Sequence, residues 1–495
     1  MTTILHRPVC ELLGCIYPLV LAGMGGVARS ELAAAVSEAG GFGFLGMVRE
    51  PVALIRSEVE AMRQRGVHRF GVNLIPAATP AGLLEAQLQA CIELEVPVVA
   101  LFWDLSTQVV SRLRAAGITV VCQIGSVEEA VAAKHAGAQI IIAQGCEAGG
   151  HVRGSSPLEE LLPQVLAAVD CPVLAAGGIV DGRDVATVLT LGAEGAVLGT
   201  ALMATHESFA HTYHKQRLLA ASGADTVLTD IFHINWPLGA KVRVLANSVT
   251  KGERGDALAP DRAIIGDEDG RPIYLFSTDS PLRSMSGDFE AMALYSGMGV
   301  GRIDSIVGAG ERLRSIAAEA SAILAAEFAD PVDATESSSP VCYAETAPEY
   351  MGFASRDELL AALNELLEAE RAGSRVCLRT AEDAKDPASR SLVENIQRDE
   401  AHWCAVLTKA ILTLGATPSP RIGAFYEKAM AISTVPERLA FLNRGQGWVV
   451  RRLRELTPKV QDDAIHRALS NMLASHERNV ELVDASLQSR GSIRQ

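Results

Sequence analysis

The sequence predicts a (β/α)8 barrel in its front part and an all-α four-helix bundle behind it. Three observations carry that prediction. Eight short, β-rich apolar runs alternate with amphipathic helical runs between about residues 18 and 200. After residue 352 the alternation stops and long helical patterns follow one another. Between the two textures lies "DPVDATESSSPVCYAETAPEY", a Ser-, Pro-, Thr- and acid-rich stretch that reads as a linker. A chain of 495 residues also exceeds what one core usually serves, so two or three domains are expected.

The strand candidates are residues 18–22, 42–46, 69–74, 98–103, 119–123, 139–143, 172–176 and 195–199. They are continuous apolar runs rather than alternating ones, the pattern of parallel strands buried on both faces. Helical runs such as "SELAAAVSEAG", "VEEAVAAKHAG" and "GRDVATVLTLG" separate them and end in glycine, which tolerates the left-handed turn out of a helix. Eight such units favour a closed barrel; a doubly wound open sheet is the alternative, since local sequence does not show closure.

The eighth strand is not followed promptly by a regular helix. A mixed insertion of about 206–294 intervenes, and its place after a strand end predicts a lid or substrate segment over the barrel mouth. A glycine turn and a long helix then complete a domain of 1–330, with 331–351 as linker. Helical patterns at about 356–380, 389–413, 434–456 and 461–487 predict an antiparallel bundle over 352–487, with 488–495 as a tail.

Composition excludes several classes. A net charge of −15 argues against a general nucleic-acid surface, which needs clustered Lys and Arg. No run approaches the roughly 18 apolar residues of a membrane span. Nine cysteines without a CxxC pair suit reduced thiols, so a cytoplasmic protein is expected.

A barrel delivers the end of every strand to one mouth, and the conspicuous motifs fall there. "AGMGG" follows the first strand, Asn73 ends the third, Gln123 ends the fifth, and "QGCEAGGH" follows the sixth. "AGGIVDG" and "LGT" follow the last two. Singly, a Gly-Gly is a turn and a lone histidine is structural. Together on one rim, Gly149 and Gly150 admit a flat ligand against the backbone, His151 faces it, and the later glycines let backbone N–H groups approach an anion. These residues do not separate a flavin mononucleotide from a nucleotide or a sugar phosphate.

Residues from about 15 to 320 resemble the nitronate monooxygenase family (2-nitropropane dioxygenase-like) and its flavin-dependent enoyl reductase relatives. The motifs are "PLVLAGMGGVARSELAAAVSEAGGFGFLG", "GVNL", "QGCEAGGHVRG", "PVLAAGGIVDGRDVA" and "GAEGAVLGTALMATHES". The resemblance implies a barrel holding FMN non-covalently. It places Met24, Asn73, Gln123, Gln144, Gly149 and Gly150 about the flavin, and Gly177, Gly178, Val197, Leu198, Gly199 and Thr200 about its phosphate. His151 takes the catalytic position. Met298 stands where the family often has glutamine, and the insertion, with His233 and Trp236, is the expected source of substrate specificity.

In the bundle, "RDEAHW" sets Asp399 and His402 three residues apart, with Glu370 on the preceding helix and His476 on the last. Such pairs resemble ferritin-like di-iron bundles, but Asn443 and Gln446 stand where a carboxylate is expected, so a ferritin-like fold without a complete metal site is the reading.

The implied activity is oxidation of small nitronate-like substrates with O2 to a carbonyl compound and nitrite, in a possible homo-oligomer without nucleic-acid or membrane partners. Two alternatives stand beside it: an FMN- and NAD(P)H-dependent enoyl-thioester reductase, and a flavin-binding sensor or scaffold whose bundle docks a protein partner.

Overall fold

The computed structural model describes residues 4–258, 262–328, 353–419, 421–422 and 425–492. These form two compact units. The expected linker lies outside the described residues.

The first unit is built on nine strands: β1 (Leu19–Leu21), β2 (Phe44–Gly46), β3 (Gly71–Leu74), β4 (Val98–Phe102), β5 (Thr119–Ile124), β6 (Ile140–Gln144), β7 (Gly150–Val152), β8 (Val173–Ala176) and β9 (Gly195–Leu198). Eight of them, all but β7, make one parallel sheet in the order β1-β9-β8-β6-β5-β4-β3-β2. The question of closure is answered between its ends. A parallel bridge pairs Val20 with Phe42, and Phe42 exchanges 2.9 Å backbone bonds with Leu19 and Leu21. The sheet is therefore a barrel, thin at this seam. Seven of these eight strands are buried along almost every residue, which is why they read as unbroken apolar runs.

Alternate residues point inward. Val98 and Ala100, Ile140 and Ile142, and Leu174 and Ala176 meet Val20, Phe42, Phe44, Val121 and Val197 in one interior cluster. Helix α1 (Pro8–Leu13) joins it through Val9, Cys10 and Leu13. The Val9 amide donates at 2.8 Å to Glu194, the residue before β9, so α1 stoppers the N-terminal end of the barrel. Only the C-terminal end is left for a ligand.

The outer helices are α2 (Ser30–Glu38), α3 (Val52–Gln64), α4 (Ala81–Glu93), α5 (Thr107–Ala115), α6 (Val127–Ala136), α7 (Leu158–Ala168) and α8 (Gly182–Thr190). Ser106 and Ser126 cap α5 and α6 by accepting from the amides of Val109 and Glu129. After β9 come α9 (Thr200–Met203), α10 (Thr212–Leu219), β10 (Thr226–Thr229), β11 (Lys241–Leu245), β12 (Ile264–Glu268), β13 (Arg271–Tyr274) and β14 (Met285–Gly287). One finding goes beyond the sequence reading. The "GGH" stretch is not only a glycine turn: it contains β7, which pairs antiparallel with β11 and carries the insertion on its edge. Helix α11 (Ala309–Phe328) then packs beside α2.

The second unit contains α12 (Arg356–Asp383), α13 (Pro387–Thr413), the short α14 (Phe425–Met430), α15 (Val435–Leu456) and α16 (Asp463–Ser492). Helix α16 continues past the expected end at 487, so residues 488–492 are helix rather than tail. A Ser355–Glu358 capping box starts α12. Two apolar clusters reveal the helix directions. One joins Leu363 of α12, Leu407 of α13, Leu453 of α15 and Leu469 of α16. The other joins Val376, Ile396, Leu442 and Val483 of the same helices. Helices α12 and α16 thus run one way, α13 and α15 the other, and a single long crossover containing α14 links α13 to α15. That connectivity is the one ferritin-like bundles use.

Phe42 is fully buried at the seam. Replacing it with alanine should cost about 3–5 kcal/mol of unfolding free energy, read from urea denaturation. A loss under about 1 kcal/mol would show that the seam contributes little to the barrel.

Candidate active site

A cavity of about 500 Å³ opens at the C-terminal ends of the strands, within the range of small-ligand sites. Met24 lines it from the loop after β1. Asn73 lines it from β3 and is held by its Nδ2, which donates to the Ala100 carbonyl at 3.3 Å. Gly23 is needed above it: a Cβ there would come within 2.3 Å of the Asn73 side chain. Gln123 contributes from β5.

Gln144, at the end of β6, lines the cavity too, but its amide is engaged by protein. Nε2 donates to the His151 carbonyl at 2.9 Å and Oε1 accepts from the Arg153 amide at 3.2 Å. The side chain therefore clamps the backbone on both sides of Val152, directly after His151. Opposite, His151 is in register with Val242 of β11.

The glycines divide by role. Gly149 serves backbone packing, since a Cβ would meet the Gly297 nitrogen at 2.5 Å. At Gly150 (φ +76) a Cβ meets nothing within 4 Å, and at Gly199 only Ala22 at 3.7 Å, so side chains at these two positions would occupy the cavity. Gly177 (φ +121) and Gly178 (φ +70) adopt backbone conformations that other residues strain to reach. Thr200 accepts from the Gly297 amide at 3.0 Å through its hydroxyl. Val197 faces the cavity, whereas its neighbour Leu198, fully buried, does not line it. Adjacent strand side chains point to opposite sides, so Leu198 would meet a ligand at this rim through its backbone alone.

His151 sits in an aromatic enclosure. Trp236 stacks on its imidazole with centroids 3.3 Å apart and planes 19° from parallel. Trp103 and Tyr295 stand at 6.2 and 5.8 Å. His151 Nε2 is sealed from solvent and has no hydrogen-bond partner in the protein. Burial, with a smaller contribution from Arg49, pushes the imidazole pKa well below 6.5, so the ring is neutral at pH 7. Of the two specificity residues expected from the insertion, Trp236 lines the cavity and His233 does not; His233 Nδ1 lies 3.1 Å from the Ile231 carbonyl. Met298 is 44% exposed and does not line it either; its amide donates to the Glu147 carbonyl, and Gly297 and Gly299 flank the cavity instead.

The sequence reading missed a charged lobe made of Arg49, Glu50, Glu268, Arg271 and Asp279. Arg271 pairs with Glu268 at 2.6 Å and Asp279 at 3.1 Å, and Glu50 pairs with Arg29 at 3.0 Å. These residues are scattered through loops and the insertion, and no motif marks them.

Residues 7–319 match the nitronate monooxygenase family. The chain belongs to that family. It is 34% identical over 271 residues to a probable nitronate monooxygenase of Staphylococcus haemolyticus, covering 46% of this chain and 76% of that one. A probable nitronate monooxygenase of Staphylococcus aureus strain Newman is 32% identical over 265 residues, with 45% and 74% covered. Among solved structures, FabK from Thermotoga maritima superposes with a TM-score of 0.57 at 29% identity, covering 66% of this chain and 99% of FabK. Nitroalkane oxidase from Streptomyces ansochromogenes gives 0.54 at 33% identity, covering 64% and 99%. By family, the front unit is a flavin-dependent oxidoreductase. Residues 357–485 match a separate domain of unknown function, DUF6306.

The bundle buries a polar layer between its two apolar clusters. Glu370 and His476 are fully buried, with His476 Nε2 3.2 Å from Glu370 Oε2. Gln446 bridges the layer, its Oε1 meeting His476 Nδ1 and its Nε2 donating to Glu400. Two metal candidates are displaced from this layer. His402 is exposed, and Asp399 accepts from Ser475 and Asn479 at its edge. Glu400 is the inward acid of α13, one position from the expected Asp399, and the residue three beyond it is Trp403, packed in the apolar cluster. A Glu-x-x-His pair is thereby replaced. No group of three His, Cys, Asp or Glu side chains is arranged to hold a metal ion among the described residues.

Burial, with Glu370 and Asp399 nearby, holds the Glu400 carboxyl well above its usual 4.5. An acid with a raised folded pKa costs stability as pH climbs from its unfolded value toward the folded one. Glu400→Gln removes that cost. The variant should melt about 4 °C or more above the parent at about pH 8 and close to it near pH 4.5, by circular dichroism. An equal or lower melting temperature at about pH 8 would contradict the assignment.

Proposed function

We propose that the protein oxidises small alkyl nitronates with O2, yielding a carbonyl compound and nitrite, on FMN held non-covalently at the barrel mouth. The observation that carries this is His151, neutral and among the residues that line the cavity, with its buried Nε2 left without a hydrogen-bond partner in the protein. The residues suit that group on their own geometry. Gly150 and Gly199 leave space that any side chain would fill, Nε2 lacks a partner, and Gly177 and Gly178 turn backbone toward the same rim. Met24, Asn73, Gln123 and Gly150 would flank the flavin ring; Gly177, Gly178, Val197, Gly199 and Thr200 would surround its phosphate. FMN, when bound, supplies the redox chemistry.

The chain's own residues have separate tasks. Gln144 fixes the His151 backbone. The Trp236, Trp103 and Tyr295 rings exclude water from the imidazole. The neutral imidazole of His151 accepts a proton from the α-carbon of a neutral nitroalkane or a hydrogen bond from a protonated substrate. We assign the enzyme to the cytoplasm and the barrel domain to 1–330; among the described residues no helix is long and apolar enough to cross a membrane.

FabK's likeness supports a second reading, reduction of an enoyl thioester by NAD(P)H. Anaerobic mixing separates the two: bleaching of a flavin absorbance by propyl-2-nitronate supports the first, and bleaching by NADH alone transfers the assignment to the second. His151→Asn should retain flavin while kcat/KM for a neutral nitroalkane falls about 10²-fold or more. Because the imidazole pKa lies well below 6.5, the acid limb of that kcat/KM profile should also lie well below 6.5. An inflection at 6.5 would remove His151 from the proton transfer. Gly178→Val should lower flavin content in the purified protein, and full occupancy would displace the phosphate from this rim.

A further inference from the structure

The cavity has two arginines in its lining, and they differ in one respect. Arg271 is neutralised by Glu268 and Asp279. Arg49 has no carboxylate within ion-pair distance among the described residues. The lobe's remaining acid, Glu50, is held by Arg29. Arg49 uses one of its five N–H donors, Nη1, on the Asn235 carbonyl at 3.1 Å.

Its backbone is unusual too. Arg49 has φ +58, a left-handed conformation that a long side chain adopts only when its surroundings enforce it. The conformation places Arg49 on the rim between β2 and α3, tied to Asn235. Asn235 (φ +75) is itself left-handed and directly precedes Trp236, the ring stacked on His151. Arg49 is thus anchored one residue from the lid over the imidazole, and its charge acts on His151 and Tyr295.

We propose that Arg49 is the substrate-binding residue that holds the paired oxygens of an anionic nitronate group beside His151, and that it sets a preference for nitronate over neutral nitroalkane. The proposal rests on the nitronate reading above. The physical reason is charge. A nitronate carries its negative charge over two coplanar oxygens, the geometry a guanidinium fork matches in pairs. A neutral imidazole supplies no counter-charge, and Arg271 is already committed. Arg49 is the lining cation left for that role.

The test uses the full-length flavin-loaded protein and the variants Arg49→Met and Arg49→Lys. Steady-state turnover with O2 is measured against concentration for propyl-2-nitronate and for neutral 2-nitropropane. In Arg49→Met the ratio of kcat/KM for nitronate to that for nitroalkane should fall about tenfold or more, the effect of losing a charge-assisted hydrogen bond. Arg49→Lys should recover part of it, and the rise of nitronate KM with salt should be flatter in Arg49→Met than in the parent. Calorimetric titration with sodium nitrite, a planar anion, gives a readout without turnover: the parent should bind it and Arg49→Met about tenfold more weakly. Equal losses for both nitro compounds, or equal nitrite binding by parent and variant, would overturn the role. A parent that ignores both nitro compounds yet binds nitrite in an Arg49-dependent way would sink the nitronate reading alone.

Discussion

The site depends on one short antiparallel pairing, Gly150–Val152 against Lys241–Leu245. Three residues of strand do two things at once. They fasten the insertion to the barrel edge, and they set His151 in register with Val242. The Gln144 amide locks the same segment from the barrel side. With the backbone held on both flanks, the insertion stacks Trp236 on the imidazole, and Tyr295, just past its end, stands beside it. The depressed pKa follows chiefly from that enclosure, and the Arg49 charge adds to it. Preorganisation of this kind suits a residue whose work is to accept a proton from carbon, because reorientation would be paid at the transition state.

The bundle solves a different problem with similar means. Burying two carboxyls and an imidazole is costly unless each finds a partner. Gln446 serves Glu400 and His476, Glu370 has only the 3.2 Å approach of His476 Nε2, and a glycine makes the space. At Gly373, in the middle of α12, a Cβ would stand 2.2 Å from a Glu400 oxygen. A mid-helix glycine lowers helix stability by about 1 kcal/mol relative to alanine, so the sequence keeps room for that acid at a cost.

Much of this was legible in the chain. The eight barrel strands could be read because strands buried on two faces leave continuous apolar runs, and the rim residues because each strand hands its end to one mouth. What was not legible is non-local. Nothing in "GGHVRG" announces a partner some ninety residues on, so β7 was hidden in a turn. Two placements could be sharpened from the sequence. Val197 and Leu198 are adjacent on one strand, so only one of the two side chains faces the mouth. Helix phase would have preferred Glu400 to Asp399, since Gln397, Glu400, Cys404 and Leu407 recur on the buried stripe at three- and four-residue steps. The charged lobe had no such signal, because its members come from separate loops.

The stopper at the base of the barrel has a bearing on the order of events. Val9, Cys10 and Leu13 fill the N-terminal end and the inward side chains fill the middle, so the cavity at the other end is blind, with its opening on one side. Whatever reacts at the imidazole must arrive and depart by the same door. A spent molecule still resting there would block its successor, and the clearing of that doorway becomes a step that turnover has to wait for.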